Sequence, residues 1–294
     1  MQPFSKKQVL VAGVILAVCI GIGVFAFVVL RQTPEPAPIE IVEQEVSWPQ
    51  RELIGTSVQG RNITAYTYGE GNTHLTFIGG IHGGYEWNTV ILAYMFLDYF
   101  EQNPEVIPEN IAVSIIPNAN PDGVYKIIGK EGRFGMADVP PGDASSGRFN
   151  ANDVDLNRNF DCQWQPESMW RGDIVSAGTA PFSEPEARAI RDFVLEKEPD
   201  AVIFWHSQAN AVYASQCKED IFPETLDIMQ AYATAANYQA VQEFDAYEIT
   251  GPAEGWLAAI GIPALTVELQ THETIEWERN LAGIKALFDY YGKE

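Results

Sequence analysis

An imidazole and a carboxylate four residues apart open the chemical reading of this chain. His82 and Glu86 stand in Gly79-Gly80-Ile81-His82-Gly83-Gly84-Tyr85-Glu86, a glycine turn leading into a stretch that is apolar at helical spacing over residues 86–100. Zinc accepts both donor types, and a catalytic zinc needs three protein ligands plus one open position. His206, in Phe204-Trp205-His206-Ser207 at the end of an apolar run, is the distant third donor. The chain has four histidines in all, so His74 and His272 are the only other imidazoles. The plain alternative is a pair of structural histidines, each satisfied within a core.

The elements that must position these groups alternate in type. Short apolar runs at 74–79, 111–116, 201–205 and 264–269 read as buried strands, and the second ends in the turn-rich Asn118-Ala119-Asn120-Pro121-Asp122-Gly123. Ser183-Glu184-Pro185-Glu186 reads as a capping box, with Ser183 as N-cap of a helix to about Leu195. Such alternation predicts an α/β domain with a largely covered sheet. Ligands of these folds gather at the carboxyl ends of strands, where His82, His206 and the segment after Ile116 fall.

A longer segment narrows the chemistry. Gly147-Arg148-Phe149-Asn150-Ala151-Asn152-Asp153-Val154-Asp155-Leu156-Asn157-Arg158-Asn159-Phe160 closely resembles the signature of the zinc metallocarboxypeptidases, the family of carboxypeptidases A and B. The metal turn resembles it too, as do Asn120-Pro121-Asp122-Gly123, Pro181-Phe182-Ser183-Glu184-Pro185-Glu186, His206-Ser207 and Thr266-Val267-Glu268-Leu269. These pieces follow the family's order across residues 50–294. The resemblance implies a mixed, mostly parallel central sheet flanked by helices, and one zinc ion held by His82, Glu86 and His206. It implies Glu268 as general base, taking a proton from water and passing it to the leaving amine. Arg148, nine residues before Asn157, is similar to the oxyanion arginine of carboxypeptidases N, E and D; Arg133 is its competitor for that role. Asn157 and Arg158 match the clamp for a substrate's free C-terminal carboxylate, a task suited to a planar guanidinium. Asp155 matches the acid that orients a ligand histidine, here His82. Tyr247 matches the tyrosine that caps the substrate. Counting forward from it places Glu254 near the base of the side-chain pocket, where a carboxylate would suit a basic terminal residue.

The chain departs from the family in two respects. Its metal motif is H-x-x-x-E where H-x-x-E is usual, and the glycine turn is expected to absorb the extra residue. Only 26 residues follow Glu268, so the small β-domain appended in carboxypeptidases N, E and D is not expected within them. The function implied is zinc-dependent removal of C-terminal residues from peptides. Two alternatives stay open: a peptidase of the same fold that cuts γ-D-glutamyl-diaminopimelate bonds in cell-wall peptides, and a non-catalytic peptide-binding receptor if the longer turn abolishes zinc binding.

Charge and hydropathy supply the setting. The 294 residues carry 40 acids against 18 bases, a formal charge of −22 that argues against nucleic acid as a partner. The first 31 residues hold Lys6, Lys7 and Arg31 and no acid, which leaves 15 of the 18 bases against all 40 acids beyond them. Between those basic flanks, residues 9–30 are apolar or small throughout, and about 20 such residues span a bilayer as a helix. We read residues 1–31 as an inside tail and transmembrane anchor, with a cleaved leader as the alternative. Residues 32–49, with four prolines and four glutamates, read as a semi-rigid spacer, and 50–294 as an extracytoplasmic catalytic domain. That location permits Cys162 and Cys217 to pair. His272 reads as an exposed loop histidine and His74 as structural.

Overall fold

The computed structural model describes residues 5–30, 48–218 and 220–293, which belong to two units. The first holds helix α1, Lys6–Leu30. At 1.5 Å per residue it extends about 37 Å, more than the ~30 Å of bilayer hydrocarbon. Among the described residues it is the one helix long and apolar enough to cross a membrane, a property shared by anchors and signal sequences. Apart from Trp48 and Pro49, the expected spacer lies outside the described residues.

The second unit opens with β1 (Gln50–Thr56), β2 (Asn62–Tyr68), β3 (Thr73–Ile78) and α2 (Trp87–Gln102). It continues through β4 (Ile111–Ile116), α3 (Pro121–Ile128), the hairpin β5 (Glu167–Trp170) and β6 (Asp173–Ser176), and α4 (Pro185–Lys197). It ends with β7 (Ala201–Ser207), β8 (Ala211–Ala214), α5 (Pro223–Ala236), β9 (Gln239–Val241), α6 (Ala253–Ala259), β10 (Ala264–Leu269) and α7 (Trp277–Tyr291). Eight strands form one sheet in the order β1-β2-β4-β3-β7-β10-β8-β9. The central four, β4-β3-β7-β10, run parallel, so three carboxyl ends that carry chemistry share one edge.

The alternation of side chains along β7 shows how both faces are filled. Ala201, Ile203 and Trp205 enter one core with Leu92, Phe96 and Phe100 of α2 and with residues of α5 and α7. Val202 and Phe204 enter the other, against Ile190 and Phe193 of α4 and Trp256 and Leu257 of α6. A strand buried on both faces has no polar side, which is why it reads as a continuous apolar run. His206 continues the even-numbered series and therefore meets α6 rather than α2.

The expected capping box at Ser183 is corrected. Helix α4 begins at Pro185 with Glu184 as N-cap and no side-chain cap. Ser183 instead donates to Glu184 Oε1 at 2.8 Å. Glu186 is drawn into tertiary contacts, accepting from Val58 N at 3.1 Å and Asn150 Nδ2 at 3.1 Å. Proline's fixed φ starts the helix, and those longer-range partners outcompete the local one.

Cys162 and Cys217 form a disulfide across 55 residues. Closing a loop of that length is worth about 4 kcal/mol in the chain-entropy account. Trp205 stacks on Phe96 and Phe77, with centroids 5.2 and 5.5 Å apart. Removing the Phe96 ring leaves a cavity against that stack, so Phe96→Ala is expected to lower unfolding free energy by about 3–5 kcal/mol in a urea titration.

Candidate active site

His82, Glu86 and His206 are buried, and their donor atoms lie within 4.8 Å of one another. His82 Nδ1 is 2.7 Å from Glu86 Oε1. His206 Nδ1 is 3.2 Å from Glu86 Oε2 and 3.2 Å from His82 Nδ1. Burial alone would push the Glu86 carboxyl up, but the two imidazoles beside it hold it well below the usual carboxylate range. Its Oε2 is buried without a hydrogen bond. Two nitrogens and a carboxylate converging on one point, with a donor atom left unsatisfied, fit a single zinc ion.

The turn explains how H-x-x-x-E converges. His82 sits just before a 3-10 turn, Gly83–Glu86, and the backbone enters it with φ of +50° at Gly83. That left-handed conformation takes up the additional residue, and Glu86 arrives against His82. Space is equally restrictive, since a Cβ on Gly83 would lie 2.5 Å from Gly147 O.

Each histidine is backed by an acid. His82 Nε2 is 3.5 Å from Asp155 Oδ1, and Asp155 Oδ2 accepts from Arg148 Nε at 2.8 Å. Burial raises the Asp155 carboxyl, but Arg148 and Arg158 outweigh it and keep the group ionised. His206 Nε2 is 3.0 Å from Glu254 Oε1. The sequence reading places Glu254 near the base of the side-chain pocket as a partner for a basic terminal residue. Glu254 does line the pocket, but it is 4% exposed and its carboxylate already has an imidazole partner. Counting along the chain located the residue; only the packing of α6 on β7 showed which way it faces.

Glu268 owes its place to strand register. Parallel pairing of β10 with β7 sets it beside His206. The residue is partly exposed, yet its Oε2 is buried without a hydrogen bond. Burial pushes its carboxyl up to about 7, against the pull of the His206 charge and with the push of Glu86.

These groups open on a pocket of about 460 Å³ whose lining includes Arg148, Asn157, Arg158, Tyr247 and the disulfide. Asn157 Oδ1 accepts from Ala253 N at 2.8 Å, which pins the segment bearing Arg158 to the start of α6. Arg158 donates to Asn157 O at 2.7 Å and Met169 O at 3.2 Å, with its Nε buried and unsatisfied. Arg133 lies outside this lining, in an exposed ion pair with Asp98 at 2.6 Å. His272 does lie on the loop after β10, but it is not exposed as expected. It is partly buried, with Nδ1 2.8 Å from Ser207 Oγ and its ring 4.5 Å from Tyr85. His74 Nε2 meets Ser114 Oγ at 2.7 Å, a partner within the sheet.

Sequence reasoning missed Tyr85, Trp170 and Arg171. All three line the pocket, and the Tyr85 hydroxyl is buried without a partner. Tyr85 lies inside the metal turn, so proximity to Glu86 was a usable signal. Trp170 and Arg171 arrive on the β5–β6 hairpin, whose placement over the site no local pattern announces.

The chain matches the description of the zinc carboxypeptidases, peptidase family M14, over residues 42–281. It belongs to that family. Family members are zinc enzymes that hydrolyse peptide bonds. Among curated relatives it is 25% identical over 255 residues to γ-D-glutamyl-L-diamino acid endopeptidase 1 of Lysinibacillus sphaericus, covering 78% of this chain and 63% of that one. It is 32% identical over 137 residues to human carboxypeptidase O, covering 41% of this chain and 37% of that protein. The chain thus spans under two thirds of either relative. The fold is shared with murein-tripeptide amidase MpaA of Escherichia coli O157, at TM-score 0.61 and 21% identity over 82% of this chain and 93% of that one. It is also shared with bovine thrombin-activatable fibrinolysis inhibitor, at TM-score 0.68 and 18% identity over 84% and 91%.

The metal turn generates a test. A methyl group at Gly83 must force the turn out of its left-handed conformation and away from Gly147, at about 1–3 kcal/mol. Gly83→Ala is therefore expected to weaken zinc binding by roughly tenfold or more, read by chelator competition on the purified zinc protein.

Proposed function

We propose that this chain is a zinc-dependent metallocarboxypeptidase that hydrolyses the C-terminal bond of a peptide carrying a free terminal carboxylate. The observation that carries the reading is one pocket holding both a His-Glu-His donor set and the Asn157/Arg158 pair. Bound by His82, Glu86 and His206, zinc would supply Lewis acidity to the scissile carbonyl and lower the pKa of water. Glu268 acts as general base and then hands the proton to the leaving amine; its unpartnered Oε2 has a lone pair free to accept that proton. Arg148, with its Nε fixed on Asp155, directs its remaining N–H groups at the developing oxyanion. Arg158 and Asn157 hold the terminal carboxylate, and Tyr247 closes over it. Asp155 keeps His82 oriented. We place the catalytic domain at 50–294 outside the membrane, tethered by residues 1–31 through the 32–49 spacer.

A second reading, cleavage of γ-D-glutamyl bonds in cell-wall peptides, is favoured by one feature of the pocket. Arg171 lies at its lip over Tyr85 and Trp170, 5.8 and 5.9 Å from the ring centroids, with no carboxylate partner among the described residues. A γ-linked glutamyl residue leaves its α-carboxylate free for such a guanidinium. The relative from L. sphaericus is named for that bond type. Incubating the zinc enzyme with dansylated peptides and with purified muropeptides, then identifying products by mass spectrometry, decides between them. Loss of single C-terminal residues from the dansyl peptides supports the carboxypeptidase; cleavage confined to muropeptides replaces it with the second reading.

Two outcomes follow from the base. Glu268→Ala is expected to retain one zinc per chain and lose turnover by about 10²–10⁴-fold, and unchanged turnover would refute the assignment. The working form is the carboxylate, so kcat/KM falls as pH drops through the Glu268 pKa and is full above it. The metal-free carboxyl sits at about 7 and a neighbouring cation favours ionisation, so the acid limb of the zinc enzyme is expected below pH 7.

A further inference from the structure

The two histidines of the donor set are built alike. Each presents Nδ1 to Glu86, and each presents Nε2 to a buried carboxylate: His82 to Asp155 at 3.5 Å, His206 to Glu254 at 3.0 Å. The second contact is the shorter, and Glu254 and His206 are 4% and 1% exposed. Glu254 is held from several sides. It lies in the first turn of α6. The Asn157 side chain adjoins it, and Asn157 is itself fixed by Ala253 N. Gly255, the next residue, packs so closely that a Cβ there would lie 2.8 Å from Cys162 Sγ. The disulfide thus backs the turn that carries the acid.

An imidazole whose Nε2 donates to a carboxylate has one tautomer left, with the Nδ1 lone pair free. We infer that Glu254 is the positioning residue of His206, fixing that ring so that Nδ1 faces the metal, and that it is not a substrate-binding anion. The inference rests on the zinc reading above. It also joins metal and clamp in one chain of contacts, His206–Glu254–Asn157, so the residue that grips the substrate terminus also steadies the acid behind a metal ligand.

The test compares the purified full-length wild type with Glu254→Gln, His206→Ala and the double variant. Glutamine preserves the shape and removes the charge. Zinc affinity is measured by competition with a chelating dye, with near-UV circular dichroism as the check that the fold is intact. Glu254→Gln is expected to lose about 10–100-fold in zinc affinity, the range typical for acids behind metal-ligating histidines. In the His206→Ala background the same change is expected to cost nothing further, because the ring it orients is gone. The ratio of kcat/KM for peptides ending in Arg and in Phe is expected to stay constant in Glu254→Gln saturated with zinc. Affinity within twofold of wild type, an equal loss in both backgrounds, or a collapse of a preference for Arg would each overturn the assignment. Wild type that binds zinc but cleaves no peptide would sink the proposed activity while leaving this inference standing, and wild type without zinc would sink both.

Discussion

One buried carboxylate between two imidazoles is the interaction on which the rest of this molecule depends. Removing Glu86 from water costs several kcal/mol unless opposite charge or hydrogen bonds replace the lost hydration. Here the compensation comes from His82 and His206, and they in turn need Asp155 and Glu254 behind them. Arg148 and Arg158 then offset the charge of Asp155. The pocket is a nested set of charges in which removing any member leaves another uncompensated. Such a network defines a site geometry more sharply than apolar packing can, because each group admits few partners.

The acid excess takes on a different meaning against that network. Forty acids against eighteen bases make most of the surface negative. Arg148 and Arg158 nevertheless fall within one short segment, both buried, and Arg171 stands nearby on the hairpin. Three guanidiniums lining one pocket of an acid-rich domain give a carboxylate-bearing ligand a local set of partners. Two further buried acids, Glu184 and Glu186, hold the loop after Arg148 through Asn150 and Asn152.

The sheet carries this assembly because parallel strands present their carboxyl ends together. The turn after β3 supplies His82 and Glu86, β7 supplies His206, and β10 supplies Glu268 at the register position beside it. A slip of one residue in β10 would turn Glu268 to the opposite face, away from His206. The two apolar cores that flank the sheet therefore act on the chemistry directly, by specifying that register.

What the sequence determined by itself was everything carried by local spacing and residue type. Donor chemistry and strand ends made His82, Glu86 and His206 candidates, and the roles expected of Arg148, Asp155, Asn157 and Arg158 came from the resemblance of one contiguous segment to a family signature. The apolar runs marked the strands because a strand covered on both faces has no polar alternation to hide it. Tertiary structure alone decided the direction of side chains between segments far apart in the chain. Glu254 was found at the pocket by counting, but its turn toward His206 depends on how α6 packs against β7. His272 was placed against Ser207 and Tyr85 by the loop after β10, and Trp170 and Arg171 by a hairpin that lies over the site. Ser183 lost its capping role because Val58 and Asn150 compete for Glu186 from segments no local pattern connects. The dividing line is sequence separation: covalent geometry limits where near neighbours can point, while distant partners meet only through the packing of the whole fold.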